Sequence, residues 1–165
     1  MTSPGRTFAL LALLAGCSAA SAASPGPPNP LVGAWELISY TDTPDGGAPI
    51  DGFGKSPRGL FVFTADMHVS ISLMTNPRTS AQGPIDPDPD ACVPDWYCSY
   101  FGTYSYDPSG PAWTTHVTGG NIASYLGTDQ RRNFRLSGNE LTISETFTAG
   151  GRTYRGKRVL RKLGR

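Results

Sequence analysis

Charge of either sign is scarce in this chain: Asp, Glu, Lys and Arg make up 16% of its 165 residues, as 14 basic and 13 acidic side chains beside two histidines. Counterion release from phosphates needs a clustered excess of Lys and Arg, so nucleic acid is excluded as a partner on composition. The apolar run Phe8 to Ala15 is too short to span a bilayer as a permanent helix. No stretch combines the length and the 3.6-residue apolar period of a main-body helix. Nucleophile motifs, glycine-rich phosphate cradles and metal-ligand clusters are missing as well, so no cofactor or metal is expected. What remains is one domain of ordinary apolar content, 38% hydrophobic and 10% aromatic, with proline and glycine scattered through it.

The N-terminus is where export is written. Arg6 followed by Phe8 to Ala15 has the charge and the apolar run of a secretion signal. The signal ends in Leu14-Ala15-Gly16-Cys17, which resembles the lipobox of bacterial lipoproteins. The resemblance implies loss of residues 1–16, diacylation of Cys17, and membrane attachment through that lipid alone, facing the periplasm or the cell exterior. Ordinary secretion with cleavage after Ala20 or Ala22 is the alternative. Loss of Arg6 with the signal leaves 13 basic against 13 acidic residues, a net charge of zero. Once Cys17 is lipidated, Cys92 and Cys98 remain as an even pair in an oxidising compartment and are expected to form a disulfide. Residues 17–30 end in Ser-Pro-Gly-Pro-Pro-Asn-Pro, a stiff tether in which proline forbids helix and central strand.

Residues 31–165 read as strands. Leu31 to Tyr40 starts the series, with Trp35, Leu37 and Ser39 on one face and Glu36, Ile38 and Tyr40 on the other. A Gly-, Pro- and Asp-rich loop to Pro57 precedes Arg58–Thr64 and its hairpin partner His68–Met74. After an irregular stretch, strands follow at 99–106, 112–118, 127–136, 140–148 and 152–163, joined mostly by short turns. Eight antiparallel strands in sequence order predict an all-β, up-and-down barrel that holds side chains or one small ligand. A β-sandwich would need longer crossing connections. The irregular stretch holds Gly83-Pro84-Ile85-Asp86-Pro87-Asp88-Pro89-Asp90, which lacks the glycine and distal Glu of a calcium loop and reads as extended and solvated.

From Leu31 onward the chain resembles the lipocalin-like domain family of bacterial and fungal proteins. The match is carried by Leu31-Val32-Gly33-Ala34-Trp35-Glu36-Leu37, Pro57-Arg58-Gly59-Leu60 with Thr64-Ala65-Asp66-Met67-His68, Tyr100-Phe101-Gly102-Thr103-Tyr104, His116-Val117-Thr118-Gly119, and Leu126-Gly127-Thr128-Asp129-Gln130 with Arg131-Arg132. The resemblance implies a calycin-type barrel with a small-molecule cup, and it transfers no catalytic residues. Gly33-Ala34-Trp35 also matches the Gly-x-Trp signature of lipocalins, which implies an arginine of the last strand, Arg158 or Arg161, closing the barrel over Trp35.

Polar residues on apolar strand faces are the informative ones, because an unpaired buried charge is costly. Glu145 lies between Ile143 and Phe147, and Arg132 two places before Phe134, so both are expected to point inward and meet each other or a ligand. Tyr104, Trp113, His116 and Phe147 complete the candidate ligand set, although both histidines fall on faces opposite the apolar ones. Phe61, Phe63, Phe101, Trp113 and Phe147 either line a cavity or fill it. Three functions follow: a monomeric lipoprotein binding a small, mostly apolar molecule; an envelope protein with a filled barrel and a protein partner; or a small isomerase, cyclase or hydrolase with Tyr104, His116, Arg132 and Glu145 as its acid–base set. Seven of the 13 basic residues lie in Arg152 to Arg165, expected to be a solvated strand face.

Overall fold

The computed structural model describes residues 28–76 and 97–164. The signal peptide, Cys17, Cys92, the Asp-Pro run and most of the tether lie outside the described residues.

The strands are β1 (Gly33–Pro44), β2 (Ile50–Asp51), β3 (Arg58–Phe63), β4 (His68–Met74), β5 (Tyr97–Asp107), β6 (Ala112–Gly120), β7 (Asp129–Ser137), β8 (Glu140–Ala149) and β9 (Arg152–Leu163). One 3₁₀ turn, Ala123–Tyr125, sits between β6 and β7. Every neighbouring pair is antiparallel, and β9 returns to pair with β1 from Ala34↔Leu163 to Pro44↔Tyr154, which closes eight strands into a barrel. The two-residue β2 is an addition within the loop after β1. It pairs with Thr41 and Asp42 beyond the point where β1 leaves β3, and nothing so short could be read from alternation.

The sequence explains the closed end directly. The chain enters through Gly33 at φ +129°, a conformation that an L side chain resists, and a Cβ there would stand 3.2 Å from Lys162 Cε. Trp35 and Leu31 are fully buried beneath, and Trp35 Nε1 donates to the Leu31 carbonyl at 2.7 Å. Phe63 packs edge-on against Tyr104 and Trp113, with centroids 5.2 and 5.3 Å away, and Phe134 continues the layer. The hairpin between β3 and β4 turns through Ala65-Asp66-Met67 with Met67 at φ +67°, a three-residue loop that ends in the left-handed conformation.

Strand β1 carries a bulge. Its register to β9 jumps between Leu37↔Leu160 and Ser39↔Val159, so Ile38 is left over and is 43% exposed. A bulge puts two residues opposite one and reverses the alternation beyond it. Trp35 and Leu37 face inward as expected, but Ser39 then turns outward and Tyr40 and Asp42 turn in. Phe101, read as a lining or filling residue, is on the outer face and 51% exposed, because Cys98, Tyr100 and Tyr104 hold the inward phase of β5.

Candidate functional site

Above the aromatic layer the barrel is hollow. A cavity of about 740 Å³ runs from Trp113 toward the end carrying the β1–β3 loop. Phe61, Ile71, Leu73, Tyr100 and Ile143 form its apolar wall, and Phe53 from the loop packs edge-on over Tyr40 at 4.8 Å. The interior aromatics therefore do both things left open by the sequence: Phe63 and Trp113 fill one half, while Phe61 and Trp113 border the space in the other.

One polar cluster reaches into this space, assembled by register. Tyr40 lies opposite Arg158 on β9, Arg158 opposite Ile143 on β8, and Glu145 opposite Gly156. The Arg158 guanidinium stacks over the Tyr40 ring at 4.0 Å, and its Nη2 donates to Glu145 Oε1 at 2.6 Å and to the Tyr40 hydroxyl. Asp42 Oδ1 is 3.9 Å from the same nitrogen. On the other side Arg132 Nε donates to Glu145 Oε2 at 3.1 Å, and its Nη2 to the Tyr125 hydroxyl and Gln130 Oε1. Glu145 thus joins two arginines. Two buried atoms, Asp42 Oδ1 and Arg158 Nη1, have no hydrogen-bond partner among the described residues. Gly156 leaves room for this arrangement, because a Cβ there would overlap the Arg158 guanidinium and push it aside.

Burial shapes the protonation of the cluster. It pushes the Tyr40 hydroxyl up to about 12 against the pull of Arg158, so Tyr40 is neutral. Burial also raises Asp42, with Arg158 opposing and Glu145 adding to the rise. For Arg132 burial acts downward, but Tyr100, Glu145 and Tyr125 outweigh it and hold the guanidinium above its usual value. Two cations face two carboxylates around a cavity with few other charges.

Arg132 and Glu145 both point inward and meet, and Trp113 and Phe147 border the same cavity, Phe147 stacked on Tyr154. Tyr104 does not belong to the site. It is buried at the closed end, where its hydroxyl donates to the Thr64 carbonyl at 3.0 Å and accepts from Asn29 at 2.9 Å. His116 is outside the barrel, 2.9 Å from Asp129, with both side chains more than half exposed. The set Tyr104, His116, Arg132 and Glu145 is therefore never assembled. The closing arginine is also corrected. Lys162 lies opposite Trp35 and holds its Nζ 5.1 Å from the ring, while Arg161 faces outward to Glu36 at 2.8 Å. Arg158 is in the cavity instead, because it lies beyond Leu160 on β9, away from the Trp35–Lys162 rung, and the bulge brings Tyr40 opposite it.

Tyr40, Asp42, Phe53, Tyr125 and Arg158 are members of the site that sequence reasoning missed. A signal for Arg158 existed, since Gly156, Arg158 and Leu160 share the inward phase of β9. None existed for Tyr40 and Asp42 without the bulge. Among the described residues, no group of three or more His, Cys, Asp or Glu is placed to hold a metal ion. Cys98 is buried and carries no free thiol.

No curated protein matches the chain. The model of a family described as a lipocalin-like domain matches residues 32–159, from the start of β1 almost to the end of β9. With the closed eight-stranded barrel and its cup, this establishes that the chain belongs to the lipocalin-like domain family.

Proposed function

We propose that the protein is an exported lipoprotein whose barrel binds one small, mostly apolar molecule. The observation that carries this is the cavity: about 740 Å³, inside the range of roughly 300–1,000 Å³ typical of small-molecule sites, with apolar walls and a few convergent polar groups. A barrel filled by its own aromatics would have no such space, and that weighs against the partner-binding alternative. Anchoring rests on Leu14-Ala15-Gly16-Cys17 and the proline-rich tether, which would hold the domain on the periplasmic or exterior side. Cys98 without a free thiol supports a bridge to Cys92. Closure of β9 on β1 supports a monomer, because it leaves no strand with a full-length free edge to recruit a second chain.

The test is the mass of the purified full-length protein under native conditions and again after denaturation. Additional mass that disappears on denaturation is the expected result, and its identification names the ligand. No additional mass, together with no saturable quenching of tryptophan fluorescence by lipophilic compounds, would overturn the proposal. For the anchor, Cys17→Ser should move the protein from the membrane to the soluble fraction.

A further inference from the structure

The barrel wall is split between β7 and β8. These strands pair only from Ser137↔Glu140 to Asn133↔Ser144. Beyond that point Asp129 to Arg132 stays on β6 and Glu145 to Ala149 stays on β9, with no pairing between the two edges. The Arg131 carbonyl beside the split is taken by the guanidinium of its own neighbour, Arg132 Nη1 at 3.0 Å. The Arg132–Glu145 ion pair stands at the first step beyond the last paired residues, where the next rung of the ladder would be.

The cavity passes through this split. Side chains on a strand alternate between faces, so a closed wall lends only its inner set to a cavity. Here both sets border it: Gln130, Arg132, Glu145 and Phe147 from inside, and the exposed Arg131, Asn133, Ser144, Thr146 and Thr148 from outside. Strands β1 and β3 also part beyond Glu36↔Leu60, but the main cavity does not reach that gap. At the end of the barrel above the cluster, Phe53 packs edge-on against Tyr40 and Tyr125 against Tyr100.

The outer surface around the split carries more basic than acidic side chains, Asp129 at its edge being paired with His116. Arg131 and Arg135 lie on the β7 side, and Lys157 lies beyond Ser144 on β9, all exposed and without an ion-pair partner among the described residues. Ser144 and Thr146 between them are uncharged. Asp107 is near enough to Arg131 to feel its charge but forms no ion pair with it, and Arg155 is matched by Asp45. Inside, Glu145 joins Arg132 and Arg158, and Asp42 stands 3.9 Å from Arg158, so both arginines already face carboxylates.

We infer that the split between β7 and β8 is the entrance of the cup, and that its ligand is a single-chain amphiphile with an anionic head. The chain inserts past Phe147 to Phe61, Ile71, Leu73 and Trp113, and the head stays outside against Arg131, Arg135 and Lys157. The inference rests on the reading of the cup as a small-molecule site.

Dodecanoate, 1-dodecanol and dodecyltrimethylammonium test it, titrated into the full-length protein with tryptophan fluorescence as readout. Dodecanoate should bind about tenfold more tightly than dodecanol at low salt, and the advantage should shrink as salt rises. The double variant Arg131→Glu with Lys157→Glu, at two exposed positions, should weaken dodecanoate by about tenfold or more and leave dodecanol within about twofold. Thr146→Trp should slow association of both chains by narrowing the split, with circular dichroism verifying the fold of each variant. Equal affinity for the three heads, an unchanged double variant, or unchanged association rates in Thr146→Trp would overturn the inference while leaving the cup reading intact. Binding to phosphatidylglycerol vesicles without binding of free dodecanoate would also overturn it, making the basic face a membrane surface. Saturable quenching by none of the three would instead count against the cup itself.

Discussion

The two halves of the barrel interior use similar residues for opposite ends. At the Trp35 end Leu31, Trp35, Phe63, Tyr104, Leu141 and Leu160 meet each other, and each is between 0 and 4% exposed. At the other end Phe61, Ile71, Leu73 and Ile143 are just as buried, between 1 and 5%, yet they face a cavity that also holds two arginines and two carboxylates. Burial alone therefore does not distinguish a residue that fills from one that lines. The difference lies in what is opposite: a bulge in β1 and the glycine at 156 admit Tyr40, Asp42 and the Arg158 guanidinium into one half, whereas large rings occupy the other. The filled half serves stability, and the hollow half is the one proposed for ligand binding.

Trp35→Ala would break the comparison most strongly. It removes the largest ring of the filled half, and truncations of that kind cost about 3–5 kcal/mol. Urea denaturation should show that loss, while the protein that remains folded keeps its ligand affinity. A matched pair sharpens the contrast next. Leu141→Ala in the filled half should cost about 3 kcal/mol, and Leu73→Ala about half of that, because some of the deleted methyl surface already faces open space. Equal losses by the same denaturation measurement would mean that the two halves do not differ in packing.

In the hollow half, Glu145→Leu leaves Arg132 and Arg158 without their shared carboxylate. Breaking a buried pair costs several kcal/mol, but these side chains are 11–20% exposed, so a loss of about 2 kcal/mol is expected, together with a loss of ligand affinity. The smallest effect has the opposite sign. Because burial raises the Asp42 pKa in the folded state, ionised Asp42 is a stability cost above that folded value, and the cost fades as pH falls toward the unfolded value of 3.8. Asp42→Asn should therefore raise the melting temperature slightly at neutral pH. The gain should shrink as pH falls toward 3.8, because the folded protein takes up the Asp42 proton before the unfolded chain does.

How far the sequence could be read follows the same division. The turns at Ala65-Asp66-Met67, Ser137-Gly138-Asn139 and Ala149-Gly150-Gly151 and the clean alternation of β4, β8 and β9 were visible because hairpins and strand periods are local properties. Arg132 and Glu145 were visible as charges on apolar faces. Tyr104, a candidate ligand residue, faces inward but lies at the closed end, and height in the barrel is a matter of stagger between strands. The closing partner of Trp35, expected as Arg158 or Arg161 of the last strand, is Lys162, because the strand is right and only the pairing register says which of its residues stands opposite Trp35.

By itself the sequence determined the order of eight antiparallel strands, since short-range alternation and turn chemistry suffice for that, while its motifs carried the resemblance to lipocalin-like domains. Only the tertiary structure decided which half is hollow, that Tyr40 and Arg158 share it with Glu145, and that β7 and β8 part to open its side. A bulge, a stagger and a break in pairing are relations between strands distant in sequence, and their energy is set by what each strand meets across the barrel.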